Sequence, residues 1–197
     1  MSVIYAYAGA SSPIRGEAFP FYAMLATPVV EKPCCDYTRS LAGTIETLTR
    51  ACVRFEVHML QGCCHVDDAR NYIIRDFLQS ECTDLFFIDA DLGWQPNNVL
   101  RLLKLPGDIV GGIYCHKSDH GTFPFHPMLG ETVANEHGLF EMPKIATGFM
   151  RIRRHVLEAL YEREKAKSRL LWLDGDSEKF NRLPVARICE RGFPREM

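Results

Sequence analysis

Asp89-Ala90-Asp91 follows directly on the apolar run Leu85-Phe86-Phe87-Ile88. Two carboxylates one residue apart at the mouth of a buried strand can turn their oxygens toward one divalent ion, and the small Ala90 between them leaves a ligand room to approach. Hard oxygen ligands in such low number suit Mg²⁺ or Mn²⁺, which complete their coordination with substrate phosphates. A diphosphate ester is the natural client. The plainer reading is that both aspartates solvate a strand end and cap the following helix; the apolar run in front of them weighs against it. Upstream, Asp67-Asp68-Ala69-Arg70-Asn71 falls on a helix that leads into the strand. There Arg70 offers planar paired donors to a phosphate or a nucleobase, although alone such a stretch is a solvated helix face.

These groups need elements to hold them. Continuous rather than alternating hydrophobicity over 85–88 is what a central parallel strand, covered on both faces, requires. Residues 65–79 predict a helix with Ile73, Ile74, Phe77 and Leu78 inward and Asp67 and Asp68 in the first turn, where the helix dipole favours them. Ahead of it, residues 21–26 form an apolar strand emptying into Thr27-Pro28. Residues 38–51 place Leu41, Ile45, Leu48 and Cys52 on one helical face, and 55–60 alternate as a strand. Behind it come a short helix at 97–105, a strand at 108–114 containing Gly111-Gly112, a strand at 146–152 and a helix at 154–167. This alternation predicts an α/β fold with right-handed crossovers, in which ligands bind beyond the carboxyl ends of the strands.

A length of 197 residues fits one domain, with 1–20 as an extended or poorly ordered lead-in and 168–197 as a tail without a recognisable framework. Lys and Arg number 23 against 25 Asp and Glu, so a net charge of -2 supplies no global attraction to nucleic acid or anionic membrane. The 8 cysteines include no Cys-x-x-Cys pair, and a chain of this size needs no disulfide staples, which predicts reduced thiols in a cytoplasmic protein. Cys34-Cys35 and Cys63-Cys64 read as small buried hydrophobes, and His58 and His155 as structural residues. No apolar run is long enough to span a bilayer, so no membrane partner is expected. Cys115, His116, His120 and His126 offer four possible zinc ligands within twelve residues, but their spacing fits no standard pair pattern.

In their order and spacing, several pieces resemble the GT-A family of nucleotide-sugar glycosyltransferases, most of all its compact viral and phage-type members. They are Thr27-Pro28 after the first strand, Ala69-Arg70-Asn71 on a helix, the strand ending in Asp89-Ala90-Asp91, Asp108-Ile109-Val110-Gly111-Gly112-Ile113-Tyr114, and Ala146-Thr147-Gly148-Phe149-Met150. The likeness covers about residues 21 to 160, and only the ordered set is specific. It implies a single GT-A, Rossmann-like domain over 21–167 with a mostly parallel sheet flanked by helices. It further implies transfer of a sugar from a nucleoside-diphosphate donor to a hydroxyl acceptor (a glycan, a protein or a modified nucleic acid) with Mn²⁺ or Mg²⁺. Asp91 would then coordinate the metal and Asp89 the metal or the ribose. Thr27, Pro28, Asp68, Arg70 and Asn71 would hold the nucleotide, and Gly111 and Gly112 would line the sugar pocket. Trp94, His116, Lys117, Thr147 and Gly148 would face sugar or acceptor, with helix-start packing the other reading of Trp94.

The likeness breaks after the Thr-Gly-Phe segment, where the family pattern continues into an acidic catalytic motif and a later metal-binding His. The tail offers Asp174 and Asp176 to take the acceptor proton, and a solvated turn is their alternative. That departure keeps two other readings open: a non-catalytic nucleotide-sugar-binding remnant, and a nucleotidyltransferase of similar fold.

Overall fold

The computed structural model describes residues 2–6, 20–63, 65–114, 134–142, 144–171 and 183–189. The strand predicted at 85–88 is β4 (Asp84–Ile88), and all its residues are buried. Around it the elements run β1 (Ser2–Ala6), β2 (Tyr22–Val29), α1 (Cys35–Arg50), β3 (Arg54–Gln61), α2 (Val66–Gln79), then β4, α3 (Asn97–Lys104), β5 (Ile109–Gly111), β6 (Phe149–Arg153) and α4 (Arg154–Ala166). A small ribbon of β7 (Leu170–Leu171) and β8 (Val185–Ala186) follows. Six strands form one sheet in the order β1-β3-β2-β4-β6-β5. The result is a single α/β domain.

Both faces of the sheet are covered. On one, Met24, Leu85, Phe87, Met150 and Ile152 pack against Ile73, Ile74 and Phe77 of α2 and Leu157 of α4. On the other, Leu25, Phe86, Ile88 and Phe149 meet Tyr37 and Leu48 of α1 and Val99, Leu102 and Leu103 of α3. Alternate residues of β4 feed opposite cores, which is why the strand reads as an unbroken apolar run.

The sheet is mixed, not mostly parallel. β2 pairs parallel with β3 and β4, whereas β1 with β3, β4 with β6, and β5 with β6 are antiparallel. The cause is how the chain returns. A helical crossover would carry it back to the amino edge, but after β5 the chain leaves and re-enters at the same edge, so β6 must run against β4. Within the lead-in, residues 2–6 form an edge strand on β3.

Helix ends follow local chemistry. The Cys34 thiol accepts from the Tyr37 N–H at 3.3 Å and caps α1, with Asp36 in the first turn and Arg50 in the last. α2 has no basic residue in its last turn. Its open carbonyls are taken by Arg154, which reaches across from the start of α4 to Phe77, Leu78 and Ser80 carbonyls and to that of Cys82 at 2.7 Å. The fully buried face of α1 is Tyr37, Ser40, Thr44 and Leu48, and the expected Leu41 and Ile45 pack half-buried against the same core, whereas Cys52 is exposed and starts the exit turn with φ 54°. Cys35 is exposed too, against expectation, whereas burial pushes the Cys82 thiol up to about 12.

His58 on β3 is buried with its Nε2 3.5 Å from Asp76 Oδ2 of α2. Burial holds its pKa below the ordinary 6.5, outweighing the upward pull of Asp76 and Glu56, while Arg75 adds to the lowering. Below pH 6.5 the unfolded chain therefore takes up a proton that the folded chain refuses, and stability falls as pH drops through the window between the two pKa values. Thermal melts from about pH 7.5 to 5.5 are expected to show this loss, and His58→Gln to remove part of it. An equal pH slope in wild type and variant would count against the account.

Candidate functional site

Strand directions gather the chemistry on one edge. β2, β3 and β4 run the same way, and β5, antiparallel to β6, runs with them. Asp89-Ala90-Asp91 leaves β4 at the carboxyl edge, Gly112-Ile113-Tyr114 leaves β5 there, Ala146-Thr147-Gly148 enters β6 there, and α2 starts there after β3. Register makes the neighbours specific. Ile88 pairs with Phe149 and Gly111 with Met150, so one residue further Asp89 stands beside Gly148 and the Gly112 N–H donates to the Phe149 carbonyl at 2.9 Å.

Gly148 is the hub. Its carbonyl accepts from the Asp89 N–H at 2.9 Å, and its N–H donates to the Tyr114 hydroxyl oxygen at 3.0 Å. A Cβ on Gly148 would lie 2.4 Å from Tyr114 Oη and 2.8 Å from Asp89 Oδ2, so only glycine lets the phenol and the carboxylate converge on this backbone. Arg70, on the second turn of α2, donates from Nη2 to Asp89 Oδ1 at 3.0 Å, with its guanidinium 5.7 Å from the Phe87 ring centre. Burial, with the Asp89 and Asp91 carboxylates, holds the Tyr114 phenol above its usual range against the opposing pull of the Gly148 hydrogen bond and of Arg70. It stays protonated, and since Gly148 occupies an acceptor position on its oxygen, its own O–H is available to donate.

Ala90 is tied down as well, its carbonyl accepting from the Cys34 N–H at 2.8 Å, which anchors the acidic turn to the start of α1. Asp91 next to it is exposed. Among the described residues no group of three His, Cys, Asp or Glu side chains comes together to hold a metal ion. A cation at Asp89 and Asp91 would take its remaining ligands from elsewhere, as Mg²⁺ and Mn²⁺ do when they share a phosphate. The donor chemistry fits that use.

Other expected site residues are engaged in the fold. Thr27 is fully buried inside β2 with its hydroxyl 2.6 Å from that of Tyr37, and Pro28 lies within the same strand, so the expected Thr27-Pro28 loop is strand instead. Asn71 is buried, and its amide serves the carboxy-terminal segment: Nδ2 donates to the Cys189 carbonyl at 3.0 Å, while Oδ1 accepts from the Ile188 and Cys189 N–H groups at 3.1 and 2.8 Å. Asp68 is exposed on the first turn of α2. Cβ positions on Gly111 and Gly112 would fall 2.6 Å from Ile145 Cδ1 and 2.8 Å from Phe149 Cδ1, so these glycines make way for protein side chains.

Trp94 packs. Its backbone N–H donates to Ser40 Oγ at 2.9 Å, its indole N–H to Thr44 Oγ1 at 2.8 Å, and its ring meets Tyr37 edge-on at 5.2 Å. Thr147 is half-buried beside Gly148. His116, Lys117, Asp174 and Asp176, with Cys115, His120 and His126, lie outside the described residues. Tyr114 is the site residue that sequence reasoning did not single out; the available signal was a polar aromatic two residues past the Gly111-Gly112 pair.

No family model matches the chain, and no curated protein is significantly similar to it. What the fold defines is a single-domain α/β protein with a mixed sheet and an acidic turn at its carboxyl edge. No described helix is long and apolar enough to cross a membrane.

Proposed function

We propose that the chain is a metal-dependent glycosyltransferase of the GT-A kind, moving a sugar from a nucleoside diphosphate to a hydroxyl acceptor. One observation carries the reading: Asp89, Arg70, Tyr114 and Gly148, drawn from four separate segments, meet at the carboxyl edge where α/β sheets bind ligands. The Asp89-Ala90-Asp91 turn and the Thr-Gly-Phe segment of the ordered likeness are neighbours through the β4–β6 pairing, with Gly148 bonded to Asp89.

In this reading Asp91 and Asp89 hold Mn²⁺ or Mg²⁺, which when bound supplies Lewis-acid stabilisation of the leaving diphosphate. Arg70, which lies against Asp89 in the free protein, presents charge-assisted donors to phosphate oxygens. The Tyr114 O–H donates to an oxygen of the bound donor or to a neighbouring carboxylate, and the Gly148 backbone fixes that phenol in place.

Calorimetric titration with UDP, GDP and CDP sugars, with and without Mn²⁺, tests the proposal, followed by a donor hydrolysis assay. At least one donor is expected to bind only with Mn²⁺ and to turn over. Binding without turnover would favour the non-catalytic nucleotide-sugar-binding protein, and no binding by any donor would overturn both. Asp91→Ala is expected to weaken metal-dependent donor binding about 100-fold or more, since even outer-shell changes at metal sites cost 10- to 100-fold. Because Asp91 is exposed, its loss should leave the melting temperature near that of wild type. Unchanged donor affinity in Mn²⁺ would remove this carboxylate from the site.

A further inference from the structure

The proposed site already holds a positive charge. Arg70 Nη2 sits 3.0 Å from Asp89 Oδ1, and the two side chains are 14% and 35% exposed, so the guanidinium is mostly withdrawn from solvent while the carboxylate is about a third open to it. The second oxygen of Asp89 lies against Gly148, where even a methyl group would be 2.8 Å away. A divalent ion approaching this carboxylate meets a guanidinium in contact with it, and like charges at that separation repel. A second observation concerns the same side chain. Arg70 Nε is buried without a hydrogen-bond partner among the described residues. A buried N–H without an acceptor is unfavourable, so Arg70 gains a missing partner if its guanidinium shifts to meet an anionic oxygen.

We infer that Arg70 is a stand-in cation: in the free protein it occupies Asp89 and excludes the divalent ion, and it yields the carboxylate when a diphosphate engages its donors. Metal and nucleoside diphosphate therefore bind as a unit, each strengthening the other. The inference rests on the proposed function, because it takes Asp89 as a metal ligand, and it adds an order to that site. No bond is made or broken; one ion pair is exchanged for two. The coupling must be reciprocal, so the factor by which nucleotide tightens Mn²⁺ equals the factor by which Mn²⁺ tightens nucleotide.

The test measures free Mn²⁺ by electron paramagnetic resonance over the full chain, alone and with saturating UDP, GDP or CDP, for wild type, Arg70→Gln and Arg70→Lys. Wild type is expected to bind Mn²⁺ about tenfold or more tightly once the nucleotide is present. Arg70→Gln should bind Mn²⁺ more tightly than wild type without nucleotide, and its nucleotide-induced gain should fall to about twofold or less. Equal Mn²⁺ affinities and an equal gain in wild type and Arg70→Gln overturn the inference while leaving the proposed function standing. Wild type that binds Mn²⁺ under no condition overturns both. Thermal melts report folding of each variant. If Arg70→Gln does not fold, Arg70→Lys decides: it keeps the charge but lacks paired donors, so Mn²⁺ should stay excluded without nucleotide and the gain should shrink, and a wild-type gain refutes the exchange.

Discussion

Arg151→Ala is expected to lower the unfolding free energy by roughly 3 to 5 kcal/mol, the usual cost of stripping one partner from a buried ion pair. Arg151 lies mid-way along β6, fully buried between Phe86 of β4 and Val110 of β5. Its Nη1 donates to Asp84 Oδ1 at 3.2 Å, and its Nη2 to the Leu105 and Gly107 carbonyls at 3.2 and 2.6 Å. Burial draws the guanidinium pKa down and Asp84 draws it back. One side chain thus neutralises a buried carboxylate and closes the turn between α3 and β5, where Gly107 has φ 101°, a conformation that favours glycine. A domain of ordinary stability, about 5 to 15 kcal/mol, loses a large part of its margin with it.

A second variant separates the two duties. Asp84→Leu with Arg151→Leu removes both charges, and such swaps are often neutral in other proteins. Here it strands two carbonyls, each worth about 1 to 3 kcal/mol if left without a donor, so it should recover only part of the loss. Urea midpoints read this directly. Arg151→Ala with a wild-type midpoint would falsify the buried-pair account.

Gly148→Ala is expected to weaken Mn²⁺-dependent donor binding about fivefold to a hundredfold. The added methyl would sit 2.4 Å from Tyr114 Oη, 2.7 Å from its ζ carbon and 2.8 Å from Asp89 Oδ2, distances that cannot persist. The backbone is held on both sides by hydrogen bonds to Asp89 and Tyr114, so the side chains must move. Overpacking of this kind costs about 1 to 3 kcal/mol, and at 1.4 kcal/mol per factor of ten that spans the stated range if the displaced groups are the ones that bind. Both calorimetric affinity and melting temperature should be followed. A variant destabilised but with full donor affinity would show that ligand never touches this corner, and the site would have to be redrawn.

What could be read from residue order was mainly what the solvent pattern encodes. β4 was legible because both faces are covered and no polar residue interrupts it after Asp84. The acidic turn was legible because a strand end at the carboxyl edge is where such residues can face a ligand. Of the face of α1, Leu41, Ile45 and Leu48 were legible, but Ser40 and Thr44 were not, because they look solvent-bound by type until Trp94, 50 residues from Thr44, bonds to their hydroxyls. Asn71 looked like a ligand-binding amide for a similar reason: its partners at Ile188 and Cys189 are 117 and 118 residues away. Gly111 and Gly112 were assigned to a sugar because the side chains that fill their space, Ile145 and Phe149, come from beyond a long connection. Phe149 to Arg153 is too short to carry a pattern that tells its direction, so the reversed β6 was invisible. The whole constellation at the edge was only partly foreseen; Asp89, Arg70 and Gly148 were named, whereas Tyr114 required knowing that β5 and β6 exit and enter side by side.

That shared doorway has a consequence for how the molecule can vary. The chain between Tyr114 and Gly148 begins and ends on a mutual hydrogen bond, with a further tie from Gly112 to Phe149. Its two ends are thus stapled by the sheet itself, and lengthening what lies between them adds only about 0.6 kcal/mol of closure entropy per doubling. An insertion between these two residues is therefore expected to leave the geometry of the frame underneath unchanged.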